Sequence, residues 1–329
     1  MKKIFLLLII SIIMIAKVNA DIISDNKVFI SSNEYNNLVN LGFSDEEIDT
    51  MSYDIYLENK DILSELIDKQ IKYYKTIYIY SNVSTMNTSQ PRRVQTLEIS
   101  EEEYNNSDEE NDFIIKGNEI VQTEYKKMEL SLSYISSSNQ YRTKNVLTWR
   151  KMPSNRSYDV IAMANNNAVS EPVANTYHKD ITYSTYNSCL QTTSTTTRTS
   201  GFTLQKSPSG AEATFVLPSD SYIDYSWNDL IGQSYPCVDQ MHKTGAIGTY
   251  SAPQTIKSMK ITLYYNLSKV SNAALNAYGS YRHSTSSISV SPSFSITPGG
   301  SPSIGFGTTL NTKFDSMSDT HITIASPLW

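Results

Sequence analysis

Only two cysteines and four histidines occur in 329 residues, and the short motifs of common hydrolytic and phosphoryl chemistry are missing. No G-x-S-x-G turn presents a serine nucleophile, and no H-E-x-x-H pair offers zinc ligands. No G-x-x-x-x-G-K-[ST] loop cradles a phosphate, and no C-x-x-C pair is present. His178, His242, His283 and His321 are far apart in sequence and read as scattered surface residues. On these grounds no catalytic residue, metal site or cofactor is assigned. Clustered Lys and Arg, the footprint of nucleic-acid binding, are absent as well. After residue 20 no apolar run reaches the roughly 20 residues that a membrane-spanning helix needs.

The first 20 residues are the exception. Lys2 and Lys3 precede an apolar core from Ile4 to Ala16, and Val18-Asn19-Ala20 has the small-residue pattern of a signal-peptidase site. The expectation is a signal peptide, residues 1–20, cleaved after Ala20, and a secreted protein. Neither a Leu-x-x-Cys lipobox nor an LPxTG-like sorting motif accompanies it. In an exported chain Cys189 and Cys237 are expected to form a disulfide, worth about 3–4 kcal/mol through loop closure. Two free thiols are the alternative.

Charge is uneven along the chain. Residues 21–112 carry 20 acidic and 7 basic side chains, a net of −13, whereas 113–329 carry 13 and 17, a net of +4. Two regions with different partners are therefore expected. Residues 21–80 read as a small helical region with one strand. Ser31 stands three residues before Glu34, and Ser44 three before Glu47, the spacing of capping boxes on two helices that meet near Gly42. A further helical turn is expected over 61–68, then a strand over Ile71–Tyr80. Residues 81–112, polar and with the acid runs Glu101–Glu103 and Asp108–Glu110, read as a linker.

Residues 113–329 read as an antiparallel β-sandwich, so the fold class is mainly β with a small α-helical N-terminal region. The clearest pattern lies in Glu124–Met163, where Met128, Leu130, Leu132 and Tyr134 alternate with Glu129, Ser131 and Ser133. Leu147 and Trp149 follow, then a turn at Pro153-Ser154-Asn155 and a strand through Val160, which together predict a β-meander. Ser207-Pro208-Ser209-Gly210 predicts a hairpin turn. Ile288, Val290, Phe294 and Ile296 alternate with serines up to Pro298-Gly299-Gly300, and Ile304 and Phe306 line a return arm.

The run TWRKMPSNRSYDVIAM at 148–163, with the acidic TLEISEEEY at 96–104, resembles segments of uncharacterised secreted proteins of low-GC Gram-positive bacteria. The resemblance implies a bacterial exported protein and transfers no activity.

Asp220, Asp224 and Asp229 lie among Tyr222, Tyr225 and Trp227, a mixture of carboxylates and rings that suits sugar subsites. Tyr222, Asp224, Tyr225, Trp227 and Asp229 are therefore the candidate ligand-binding residues. The leading expectation is a non-catalytic surface or binding module, with cell-wall or host glycans as partners. A second is a membrane-active, pore-forming-like β-hairpin from Ile288 to Phe306, whose arms approach the 9–11 residues of a tilted membrane strand although Pro292 and Pro302 interrupt them. A secreted glycan hydrolase is the third.

Overall fold

The structure is a computed structural model that describes residues 22–23, 29–81, 91–107, 113–116, 119–150, 152–153, 155–226, 230, 235, 237–238, 249–285, 294–296, 304–306, 314–315 and 317–329. A short strand pair, β1 (Ile22–Ile23) and β2 (Phe29–Ile30), precedes helices α1 (Ser32–Asn40), α2 (Asp45–Asp49) and α3 (Tyr53–Asn59). The strands that follow are β3 (Ser64–Tyr80), β4 (Arg93–Ile99), β5 (Phe113–Lys116), β6 (Glu119–Ile135), β7 (Gln140–Trp149), β8 (Tyr158–Asn165), β9 (Ser170–Pro172) and β10 (His178–Asn187). Then come β11 (Thr192–Arg198), β12 (Phe202–Ser207), β13 (Gly210–Val216), β14 (Ser221–Ser226), β15 (Thr249–Lys269), β16 (Leu275–Arg282), β17 (Phe294–Ile296), β18 (Ile304–Phe306) and β19 (Thr320–Ile324). Helix α4 (Glu101–Asn105) follows β4.

Both expected capping boxes are formed. Glu34 returns its carboxylate to the Ser31 amide at 2.9 Å, and Glu47 does the same to the Ser44 amide at 2.9 Å, so donors that the helix itself leaves unpaired are satisfied. Gly42 ends the first helical segment at φ +86°, and a Cβ there would collide with the Ser131 side chain. The helices therefore sit directly on the sheet. Their apolar stripe, with Leu38, Leu41, Phe43, Ile48 and Ile55, packs on Ile135 and Tyr264.

Ten strands form the larger sheet, in the order β11-β10-β15-β7-β6-β3-β4, with β14 and β9 also on β15 and β5 on β6. The smaller sheet runs β12-β13-β8-β16-β19, and every described pairing is antiparallel. The two sheets pack face to face. Met128, Leu130, Leu132, Leu147, Trp149, Ile261 and Leu263 from one meet Ile161, Met163, Phe215, Ala277 and Tyr281 from the other in one core. Asn145 of β7 crosses that interface, donating to the carbonyls of Ala162 and Ser280 at 3.1 Å each. The result is a β-sandwich with a helical layer on the outer face of its larger sheet.

Three expectations are corrected. The helical turn over 61–68 is not formed: β3 begins at Ser64, runs to Tyr80 and pairs with β6 from Ser64↔Ile135 to Tyr80↔Ile120, with a register shift between Leu66 and Asp68. A long neighbouring strand outweighed weak local helical preference there. For the same reason residues 21–80 are not detached from the sandwich. The linker at 81–112 contains β4, paired with β3 from Tyr73↔Ile99 to Ile79↔Arg93, and α4, whose Tyr104 packs on Tyr73 at 5.0 Å. Glu101–Glu103 are exposed, as a solvated run should be, but they form the first turn of a helix capped by Ser100. Finally, β6 and β7 pair as the meander requires, whereas β8 does not continue it and belongs to the smaller sheet. The Pro208–Ser209 hairpin is formed as expected, and a Cβ at Gly210 would strike the Met163 carbonyl of the neighbouring strand.

Candidate functional site

The aromatic, acidic segment forms β14, which pairs with the first residues of β15: Tyr222↔Pro253, Asp224↔Ser251 and Tyr225↔Tyr250. Strand alternation separates the candidate residues. Tyr222 is 72% exposed and shares its face with Asp224, which accepts a hydrogen bond from Ser251 Oγ. Tyr225 points the other way and is half-buried, its hydroxyl accepting from Asn187 Nδ2 at 2.6 Å. Trp227 and Asp229 lie outside the described residues. Asp220 is used structurally, since Arg156 grips its carboxylate at 3.0 and 3.3 Å and the Ile256 amide donates to it at 2.8 Å.

Tyr225 ties this strand to the disulfide. Cys189 and Cys237 are bonded, with Cα atoms 4.9 Å apart, and they pack with Leu230, Val238 and Ala252 against Tyr225, Tyr235 and Tyr250. Asn187 holds the turn that carries Cys189, accepting from the amides of Cys189 and Leu190 at 2.9 and 3.1 Å. The corner is thus a displayed tyrosine on a strand fastened by a covalent bridge and a satisfied polar turn. Beneath α2, two cavities of about 20 and 40 Å³ share Thr50, Thr182 and Lys260. Each has room for about one water, well short of the roughly 300 Å³ of a small-molecule pocket.

A second constellation was not legible in the sequence. Between the sheets, Lys126 of β6 pairs with Asp315, both fully buried. His283, just after β16, is equally buried, so reading it as a surface histidine is corrected. Its Nδ1 lies 3.0 and 2.9 Å from the two oxygens of Asp159 on β8, which also accepts from the Tyr281 hydroxyl and from the Ser284 amide at 3.2 Å. Nε2 faces Glu124 of β6 at 3.9 Å. Trp149 forms the floor, with the Lys126 ammonium 4.7 Å and the His283 ring 4.9 Å from its ring centre. Among the described residues Nε2 has no hydrogen-bond partner.

Burial raises the Glu124 pKa above 4.5, and the opposing charges of His283 and Lys126 do not offset it. Burial works the other way on His283, but Asp159, by charge and hydrogen bond, and Glu124 outweigh it and hold the imidazole above 6.5. Glu124, Lys126, Asp159, His283 and Asp315 come from four places in the chain, and only the placing of the charged Glu124 and Lys126 in phase with the core positions Met128 and Leu130 of β6 hinted at them. The other histidines stand apart from this cluster. His178 rests at the helix-facing side, stacked on Tyr264 at 4.6 Å and bonded to Asp180 at 2.8 Å, and His321 is hydrogen-bonded to Asn276 on the surface. His242 lies outside the described residues.

By fold the chain is a mainly antiparallel β-sandwich protein with a helical layer and one disulfide. No family model matches it, and no curated protein matches it. Among solved structures, a chain described as BspA_C_WT matches at 5% identity over 67% of this chain and 88% of its own, with a TM-score of 0.19. The delta-toxin of Clostridium perfringens matches at 11% identity over 66% and 93%, with a TM-score of 0.18. Superpositions that loose carry no argument about function.

Proposed function

We propose that the chain is an exported, non-catalytic module that binds cell-wall or host glycans through the β14 corner. The observation that carries the reading is Tyr222, displayed on a strand that the Tyr225–Asn187 bond and the Cys189–Cys237 bridge hold in place. A ring fixed in position stacks on a sugar face with little ordering cost, and Asp224 on the same face supplies acceptors for hydroxyls. Export follows from the pattern of residues 1–20. Binding of the secreted chain to purified cell wall and to a glycan panel tests it, with Tyr222→Ala expected to weaken the best ligand by at least about tenfold, or about 1.4 kcal/mol. Unchanged binding to every preparation would end the reading.

One observation favours a second, membrane-active reading. β17 and β18 form a two-stranded sheet of their own, with Phe294↔Phe306 and Ile296↔Ile304 in register, and β17 lies against β13 of the smaller sheet. In the sequence Phe294 and Ile296 alternate with Ser295, and Ile304 and Phe306 flank Gly305, the two-residue pattern of a membrane hairpin; the rest of the expected Ile288–Phe306 hairpin lies outside the described residues. Dye release from liposomes by the whole chain, abolished by Ile296→Asp, supports this reading; no release at any lipid composition removes it.

A further inference from the structure

The cluster between the sheets contains three carboxylates, Glu124, Asp159 and Asp315, against two cations, Lys126 and His283. Lys126 is spent on Asp315 and His283 on Asp159, which leaves Glu124 as the odd charge in a site sealed from water. An uncompensated buried charge is expensive, and a carboxyl can escape that cost by keeping its proton.

The cluster also stands at a junction of the chain. His283 and Asp315 exchange backbone contacts, the His283 amide donating to Asp315 Oδ1 and the Asp315 amide to the His283 carbonyl, both at 2.9 Å. Ser284 and Phe314 pair as an isolated antiparallel bridge next to them. Four elements distant in sequence, β6, β8, the end of β16 and the segment leading to β19, therefore meet on one set of charges.

We propose that this cluster is a proton-operated clasp, in which one proton held on Glu124 balances its charges and keeps Phe314 and Asp315 fastened to the end of β16. The groups facing it are Tyr78 from β3, Lys126 from β6, Trp149 from β7, Asp159 from β8, and Tyr281, His283 and Asp315. Tyr78 and Tyr281 are pushed well above 10 by burial, so they stay neutral and add no competing charge at ordinary pH. The folded chain holds the Glu124 and His283 protons to higher pH than the unfolded chain does. The stabilisation is complete below each unfolded value, near 4.5 for Glu124 and 6.5 for His283, and is lost as pH rises through the raised folded values. Mild acid tightens the clasp and base loosens it.

Glu124→Gln supplies the neutral form permanently, so the test does not depend on a crippled variant. Urea unfolding of the full chain is measured from pH 5 to pH 9 for a Glu212→Gln parent and for the same parent with E124Q, because burial pushes Glu212 up to about 7 and would add a slope of the same sign. The unfolding constant of the parent is expected to climb more steeply with pH, by up to about tenfold per pH unit while the extra proton is lost. E124Q is expected to be the more stable of the two at pH 9. Hydrogen exchange at the His283 and Asp315 amides, corrected for its intrinsic pH dependence, is expected to accelerate with pH in the wild type. Parallel unfolding curves, E124Q less stable at pH 9, or pH-independent opening at those two amides would each overturn the proposal.

Discussion

On the outer face of the ten-stranded sheet Lys144 meets Glu47 beneath the helices, and on the inner face Lys126 meets Asp315 between the sheets. Both lysines are buried sheet residues facing a carboxylate from another element. Their surroundings differ. Glu47 has Lys144 at 2.7 Å and the charge of Lys260 as well, and it accepts from the Ser44 amide; burial pushes its pKa up, but these partners win and bring it down to about 2. Glu124, the surplus acid of the inner cluster, has no comparable set of partners and moves up instead. Two lysines act on Glu47 on the outer face, whereas Glu124 is the surplus acid on the inner face, and the two carboxyls of one sheet therefore shift in opposite directions. The sign of a buried carboxyl's shift depends on the local count of charges, not on burial alone.

That contrast can be broken most sharply at the lysines. Lys126→Met strips the inner cluster of a cation it cannot spare, and the expected cost is about 3–5 kcal/mol at pH 8 by urea unfolding. Lys144→Met is expected to cost less, since Lys260 still faces Glu47. An equal or larger loss for Lys144→Met would undo the charge-count argument.

A smaller effect separates the two faces by pH. Because the folded Glu47 pKa is about 2 against an ordinary 4.5, its contribution is present above 4.5 and fades as pH falls through 2. Unfolding measured from pH 5 down to pH 2 is expected to lose stability less steeply in Glu47→Gln than in wild type. The alkaline limb should be unaltered by that change. The smallest expected effect is at the cap of the same helix: Ser44→Ala removes an acceptor for the Glu47 amide and is expected to cost about 1 kcal/mol in thermal or urea unfolding, with no change in pH slope.

The candidate site was partly legible. The aromatic and acidic run at 220–229 announced an unusual surface, and Tyr222 is indeed displayed, but a linear reading could not tell that Tyr225 turns inward to Asn187 or that Asp220 is committed to Arg156. Those facts depend on which strand lies beside β14. Likewise the acids at 101–103 were visible as a charge run, while the strand before them became one only because β3 offered an edge to pair with.

Local chemistry by itself determined the capped helices at Ser31 and Ser44, the core face of β6 from Met128 to Tyr134, and the turn at Pro208–Ser209, because each rests on interactions within a few residues or on a two-residue period. Tertiary structure alone decided that β8 leaves the meander for the second sheet and that Ser64 begins a strand. It also decided that Glu124, Lys126, Asp159, His283 and Asp315 share one sealed site. Sheet pairing and charge burial are contacts between segments far apart in the chain, and their energies do not exist until those segments meet.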